Sequence, residues 1–356
     1  MQELPQDLLQ EIQSIEPRSA EWRARAQSHL DQLTKPQGSL GRLEEVAADL
    51  VSMQRAAHPS CAGKAVYVFA GDHGVTDEGV SAYPREVTVQ MVLNFLHGGA
   101  AVNALAKAAG ADVVVVDVGV AGELAPAPGL LQANVRRGTR NFAVEPAMTY
   151  EETFAAMRVG TRLAQEAARD GRRVLAIGEM GIGNTTSASA LTVAITAAEP
   201  DEVTGAGTGV DETGRQKKAA VVRRALRLHR LRLGDVAGVL ACLGGYEIAA
   251  MAGMAIGAAR NRIAVVVDGF ISTATAAIAF VLAPHTRDYM FAGHASQEPG
   301  HRVLLDYLGL KPLLSLDMRL GEGSGAVLAF GILEAAVRVY NEMATFASAG
   351  VSQKSE

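Results

Sequence analysis

The sequence predicts an α/β fold: a Rossmann-like parallel sheet flanked by helices, with a small helical domain built from both termini. Two observations carry the sheet. Short, near-continuous Val/Ile runs ending in glycine recur from residue 64 onward, and Ala-rich stretches of helical spacing lie between them. Such runs, alternating with helices, are what strands covered on both faces look like. A third observation, apolar periodicity at both ends, gives a helical domain of residues 1–60 plus 327–356 beside an α/β domain of residues 61–326.

Taken in order, Leu30, Leu33, Leu40, Leu43, Val46 and Leu50 fall in threes, fours and sevens between charged positions, the spacing of amphipathic helices. Pro36 and Gly38 interrupt the pattern, and Ser39 is the candidate N-cap of the helix that follows. The strand candidates are KAVYVFAGDHG (64–74), DVVVVDVGVAG (112–122), RRVLAIGEMGIGN (172–184) and RIAVVVDGF (262–270). YMFAGHAS (289–296) and LLSLDMRLGEGSG (313–325) are candidates for further edge strands or strand-like connections. Residues 92–109 and 153–168 read as helical, and one long helix is expected after Ala326. The last ten residues are small and polar and are expected to fray.

Composition bounds the function. The chain has 356 residues, enough to bury a large core without staples. Thirty-three basic against 38 acidic residues give a net charge of -5, which argues against a general nucleic-acid binder. Cys61 and Cys242 cannot form a disulfide framework, so a reducing, cytoplasmic setting is expected. Residues 1–16 are polar and acidic, without the apolar core of a secretory signal. The most membrane-like stretch, 239–259, contains Gly253-x-x-x-Gly257, a spacing also used by membrane dimers. Glu247 sits inside it and bulky lipid-facing residues are few, so a closely packed buried helix of a soluble protein is expected instead.

The placement of the glycines is the functional signal. Gly71–Gly74, Gly178–Asn184, Asp268-Gly269 and Gly293–Ser296 each follow an apolar run, which in a parallel sheet is the ligand edge. Gly205-Ala-Gly207-Thr208-Gly209 and Gly321-Glu-Gly-Ser-Gly325 have alternating glycines, which expose backbone N–H groups able to hold an anion without lysine. Six loops rich in Gly, Ser and Thr, several with an embedded acid, point to a phosphorylated small molecule. The candidate contacts are Gly178, Gly181, Gly183, Asn184, Gly205, Gly207, Thr208, Gly209, Asp268, Gly293 and Ser296. There is no GxxxxGK[ST] and no GxGxxG spacing in these loops, which excludes a P-loop NTPase and disfavours a dinucleotide site.

Glu179 and Glu322 sit inside glycine loops flanked by apolar sequence, where burial would raise a carboxyl pKa and make it a better proton acceptor near neutrality. Asp72 and His73 follow a strand directly and read equally as catalytic groups or as caps of the next helix. The histidines are scattered. His294 and His301 are the only close pair after His285 and no cysteine is near them, so no metal and no cofactor is expected. No GxSxG elbow occurs around Ser187 or Ser189.

These blocks together resemble the nicotinate-nucleotide–dimethylbenzimidazole phosphoribosyltransferases, the family that prepares the lower ligand of cobalamin. The resemblance rests on LTKPQGSLGRLE (33–44), AGDHGV and EGVSAYPREVT within 70–88, GEMGIGNTTSASA (178–190), GAGTGVD (205–211), VVVDGFISTATA (265–276), GHASQEPGH (293–301) and LGEGSGA (320–326). It implies transfer of the 5-phosphoribosyl group of nicotinate mononucleotide to 5,6-dimethylbenzimidazole, with inversion at the anomeric carbon. The donor's ring nitrogen is already cationic and no diphosphate leaves, so neither a general acid nor a divalent metal is implied. By resemblance, Glu322 is the general base and Glu179 supports positive charge at the ribose. Lys217 or Lys218 lies near the phosphate, and Tyr83, Gln90 and Leu320 line the base pocket. Tyr83 reads equally as a turn residue before Pro84. The resemblance further implies a homodimer with the site near its interface, where segment 239–259 would suit close helix packing.

Two other readings share these residues. One is a phosphoribosyltransferase of the same fold acting on another base, such as adenine or a phenol. The other is a non-catalytic carrier of a ribotide or free base. An ordinary phosphoribosyltransferase is a weaker rival, because VVVDGFISTATA lacks a second acid beside Asp268.

Overall fold

The computed structural model describes residues 4–207, 209–232 and 234–352. Among these described residues, seven strands form one sheet: β1 (Ala65–Gly71), β2 (Asp112–Gly119), β3 (Leu130–Gln132), β4 (Val174–Met180), β5 (Ala264–Val267), β6 (Met290–His294) and β7 (Pro312–Leu314). Their order is β3-β2-β1-β4-β5-β6-β7 and every adjacent pair is parallel. The α/β expectation holds. The order reverses between β1 and β4, which opens a crevice at their carboxyl ends.

The expected strands are present because their Val/Ile runs are covered on both faces; β1 is buried along its whole length. The three-residue edge strand β3 was not expected, having no apolar run of its own. β7 opens on Pro312, a residue confined to sheet edges because it cannot donate to a second neighbour.

Several helix expectations need correction. Residues 92–109 are two helices, Glu86–Leu96 and Ala101–Ala109, parted at Gly98-Gly99. Segment 239–259 is likewise two, Val236–Leu243 and Tyr246–Arg260, parted at Gly244-Gly245. Ser39 caps nothing: helix Arg42–Gln54 has Gly41 at its N-cap, and Glu44 reaches back to accept from the Leu40 amide at 2.9 Å while pairing with buried Lys35 at 2.8 Å.

Helix Tyr246–Arg260 is buried from Tyr246 to Ala259, and its partner is helix Tyr150–Arg169 of the same chain. A Cβ on Gly257 would lie 2.8 Å from that of Ala164, and one on Gly253 would overlap the Met157 carbonyl. The small-residue face is therefore spent inside the chain and is not free for a subunit contact. Among the described residues, no helix is long and apolar enough to cross a membrane.

The two ends of the chain meet. Leu33 bridges Thr345, the Thr34 amide donates to Ala344, and the His29 and Tyr340 rings pack 4.6 Å apart. Helix Ser324–Glu342 packs on helix Arg42–Gln54 and also on the sheet, and one apolar core runs through both.

Candidate active site

A cavity of about 800 Å³ opens at the carboxyl edge of the sheet. Its floor comes from the loops after β4 and β5, and one wall from Ser296 and Glu298 after β6. Met318 to Glu322, after β7, form a second wall, and Tyr83, Val87 and Met91 a third. The last three are spaced by four, so the turn before helix Glu86–Leu96 and one stripe of that helix face inward.

Two buried acids face each other's loops across this space. Glu179, on β4, is 8% exposed, and its carboxylate accepts from the Asn184 side-chain amide in a short contact. Burial, then the nearby Asp268 carboxylate, push its pKa up to about 8. Glu322 is 7% exposed with one carboxylate oxygen buried and unpartnered. Burial raises its pKa too, the Val102 amide pulling the other way. A buried acid with a raised pKa and a free oxygen is suited to take up a proton near neutrality.

Three helices begin at the cavity, Asn184–Thr196, Phe270–Leu282 and Ser324–Glu342. Their N-caps are Gly183, Gly269 and Gly323, and none is capped by its own side chain. First-turn amides and the positive helix end favour an anion at the first two; at the third, the Gly323 and Ala326 amides already donate to the Asp268 carboxylate. The fourth feature is the loop at Gly205–Gly207. The Gly207 amide donates to Glu298 at 3.0 Å, and Lys218 lies beneath, its ammonium donating to Thr185 Oγ1 at 3.1 Å and the Gly205 carbonyl at 3.2 Å. Burial lowers the Lys218 pKa to about 8.

Geometry thus separates the two lysines. Lys218 is buried under the glycine loop, whereas Lys217 is exposed and its ammonium lies toward Gly79.

Of the residues read from the sequence, Glu179, Gly181, Asn184, Gly207, Ser296, Tyr83, Leu320 and Glu322 line the cavity. Gly183 stands behind it as a helix N-cap. Gly178 and Gly293 are packed beneath the turn of Glu322 and the helix after it; side chains would strike that backbone. Gly205 backs onto the Glu298 carboxylate. Asp268 is fully buried and spends its carboxylate on backbone amides instead of on the cavity. Gly209 is exposed with nothing within 4 Å of a Cβ, and Gln90 is exposed and off the lining. Thr208 lies outside the described residues.

Asp72 and His73 do not line the cavity, and neither side chain caps a helix. The Asp72 carboxylate accepts from the Ala121 amide at 2.8 Å, and His73 Nε2 meets Glu247 Oε1 at 2.5 Å, fully buried. They brace the crevice from behind.

Glu298, Thr185 and Arg319 are cavity residues that the sequence reading missed. Glu298 precedes Pro299 at a helix start and looks there like an ordinary cap residue; the glycine loop that hands it an amide is 91 residues away. Among the described residues, no group of three or more His, Cys, Asp or Glu side chains is placed to hold a metal ion.

A doubly wound sheet with glycine-capped helices and buried acids at its switch point is a setting for a ribose phosphate. The phosphoribosyltransferase family model matches residues 15–351, and the chain belongs to that family. It is 52% identical over 346 residues to the nicotinate-nucleotide–dimethylbenzimidazole phosphoribosyltransferase of Geobacter sulfurreducens, covering 97% of this chain and 98% of that one. It is 53% identical over 329 residues to the protein of the same name from Desulforamulus reducens, covering 92% and 94%. The crystal structure of CobT from Thermus thermophilus matches with a TM-score of 0.91 at 52% identity, over 94% of this chain and all of that one.

Proposed function

We propose that this protein transfers the 5-phosphoribosyl group of nicotinate mononucleotide to 5,6-dimethylbenzimidazole, giving α-ribazole 5′-phosphate and nicotinate in assembly of the cobalamin nucleotide loop. The observation that carries it is the meeting, around one cavity, of two buried glutamates with a set of uncapped helix amides and a lysine-backed glycine loop.

In this reading the 5′-phosphate sits at the Gly205–Gly207 loop and the N-terminus of helix Asn184–Thr196, with Lys218 beneath. Glu179 lies at the ribose, where its charge is drawn out by the cationic centre that develops as the nicotinate ring departs. Glu322 accepts the N–H proton of the incoming base, freeing a ring nitrogen to attack the anomeric carbon from the face opposite the leaving ring. One displacement inverts that carbon. Tyr83, Met91, Met180 and Leu320 supply apolar walls for a flat bicyclic base. No cofactor or metal is invoked. The same reading makes the enzyme cytoplasmic and homodimeric, with residues 1–60 and 327–356 as a helical subdomain behind Glu322.

The test is one incubation with nicotinate mononucleotide and an equimolar panel of bases, chelator present, resolved by chromatography and mass. Nicotinate release with the α-ribotide of dimethylbenzimidazole is expected. Ribosylation of adenine or a phenol instead would move the pathway and keep the mechanism. Binding without product from any base would favour a carrier, and activity rescued only by Mg²⁺ would return the ordinary phosphoribosyltransferase.

A further inference from the structure

Glu322 has a backbone that a glutamate rarely adopts. Its φ is +64°, and its neighbours Gly321 and Gly323 stand at +89° and +86°, so three successive residues are left-handed. For a residue with a Cβ this conformation is costly and persists only where surrounding contacts impose it. Two contacts do so. From β4, Gly178 lies directly under the turn: a Cβ there would fall 2.6 Å from the Gly323 nitrogen. From the end of β5, Asp268 reaches across. One carboxylate oxygen accepts from the Gly323 amide at 3.1 Å, and the other accepts from the Ala326 amide at 2.9 Å with His294 Nε2 3.6 Å away.

Asp268 is thus the N-terminal cap that helix Ser324–Glu342 lacks in its own sequence, supplied from 55 residues away. It is 1% exposed and does not line the cavity, so it has no direct path to a substrate. An isolated buried carboxylate is costly to keep, and here its ligands are the amides on either side of the Glu322 turn.

We propose that Asp268 is a positioning residue for the reaction: by holding the amides of Gly323 and Ala326 it locks the left-handed turn that presents the Glu322 carboxylate to the acceptor base. His294 backs it from the other side. The inference rests on Glu322 being the base.

A double-mutant cycle tests it. Glu322→Gln is expected to lower kcat by roughly 10²- to 10⁴-fold, the usual worth of a general base. Asp268→Asn, nearly isosteric, replaces one accepting oxygen by a donor. It is expected to lower kcat by about tenfold or more with the donor KM within about threefold, because the phosphate loops are elsewhere. In the Glu322→Gln background the same change is expected to cost less than about twofold, since nothing remains to be positioned. Equal losses in both backgrounds would overturn the proposal, as would wild-type kcat in Asp268→Asn beside an impaired Glu322→Gln. That second outcome leaves the base assignment standing. Full activity in Glu322→Gln removes the base assignment and the proposal with it. A purely structural Asp268 would lower the thermal midpoint and leave the kcat of the folded fraction unchanged. Should Asp268→Asn not fold, His294→Gln is run through the same cycle, with a smaller loss of kcat expected and the same non-additivity; additive losses there also overturn the proposal.

Discussion

Burial and the Asp268 carboxylate push Glu179 up to about 8, from 4.5 for a free glutamate. In that window the folded chain keeps a proton that the unfolded chain has released. Stability therefore falls as pH rises from 4.5 to about 8 and levels off above it. Glu179→Gln deletes this slope, so its melting temperature is expected to fall less than that of wild type between about pH 5 and about pH 8. Parallel profiles would show that Glu179 does not carry the proton. The two acids were legible in the sequence because a carboxylate between glycines in apolar surroundings has no solvating reason to be there. The choice between Lys217 and Lys218 was not: adjacent residues of one type differ only in which side of a helix is covered, and that is settled by elements far away in the chain. Glu298 was hidden for the same reason.

At the scale of elements, glycines do opposite things according to what faces them. On helix Tyr246–Arg260 a Cβ at Gly253 overlaps the Met157 carbonyl, whereas at exposed Gly331 of helix Ser324–Glu342 nothing lies within 4 Å. Gly253→Ala is expected to destabilise by about 1–3 kcal/mol through overpacking. Gly331→Ala is expected to stabilise by about 0.5–1 kcal/mol through helix propensity. Urea unfolding of both variants checks the sign, and equal signs would refute the packing argument. Strands were legible because a doubly covered strand must be apolar at every position, as β1 and β5 are. Helix breaks were less so. Ala-rich periodicity continues across Gly98-Gly99 and Gly244-Gly245, and only the packed structure shows that the axis turns there. The Ser39 cap failed because the helix starts later, at Arg42 with Gly41 as its N-cap, and the amide next to Ser39, that of Leu40, donates to Glu44, itself buried against Lys35.

At the scale of the molecule, the cavity draws on residues from Tyr83 to Glu322 and on segments that follow five of the seven strands. A ligand there ties the two halves of the sheet across their switch point. Nicotinate mononucleotide at about 100 times its Kd is expected to stabilise the fold by about 2.7 kcal/mol. Calorimetry should show the main transition moving upward as one; a shift confined to part of a split transition would mean that the site belongs to only one half.

The strand order also has a direction in time. From β1 onward, β4, β5, β6 and β7 are added to the same edge in the order of the chain. A polypeptide leaving the ribosome can thus dock each new strand on one already laid down, and N-terminal parts fold first during synthesis. The glycine loops of β4 and the Gly205–Gly207 segment emerge well before the turn that carries Glu322. The growing chain accordingly acquires the means to grip a ribotide before it acquires the group that makes gripping it consequential.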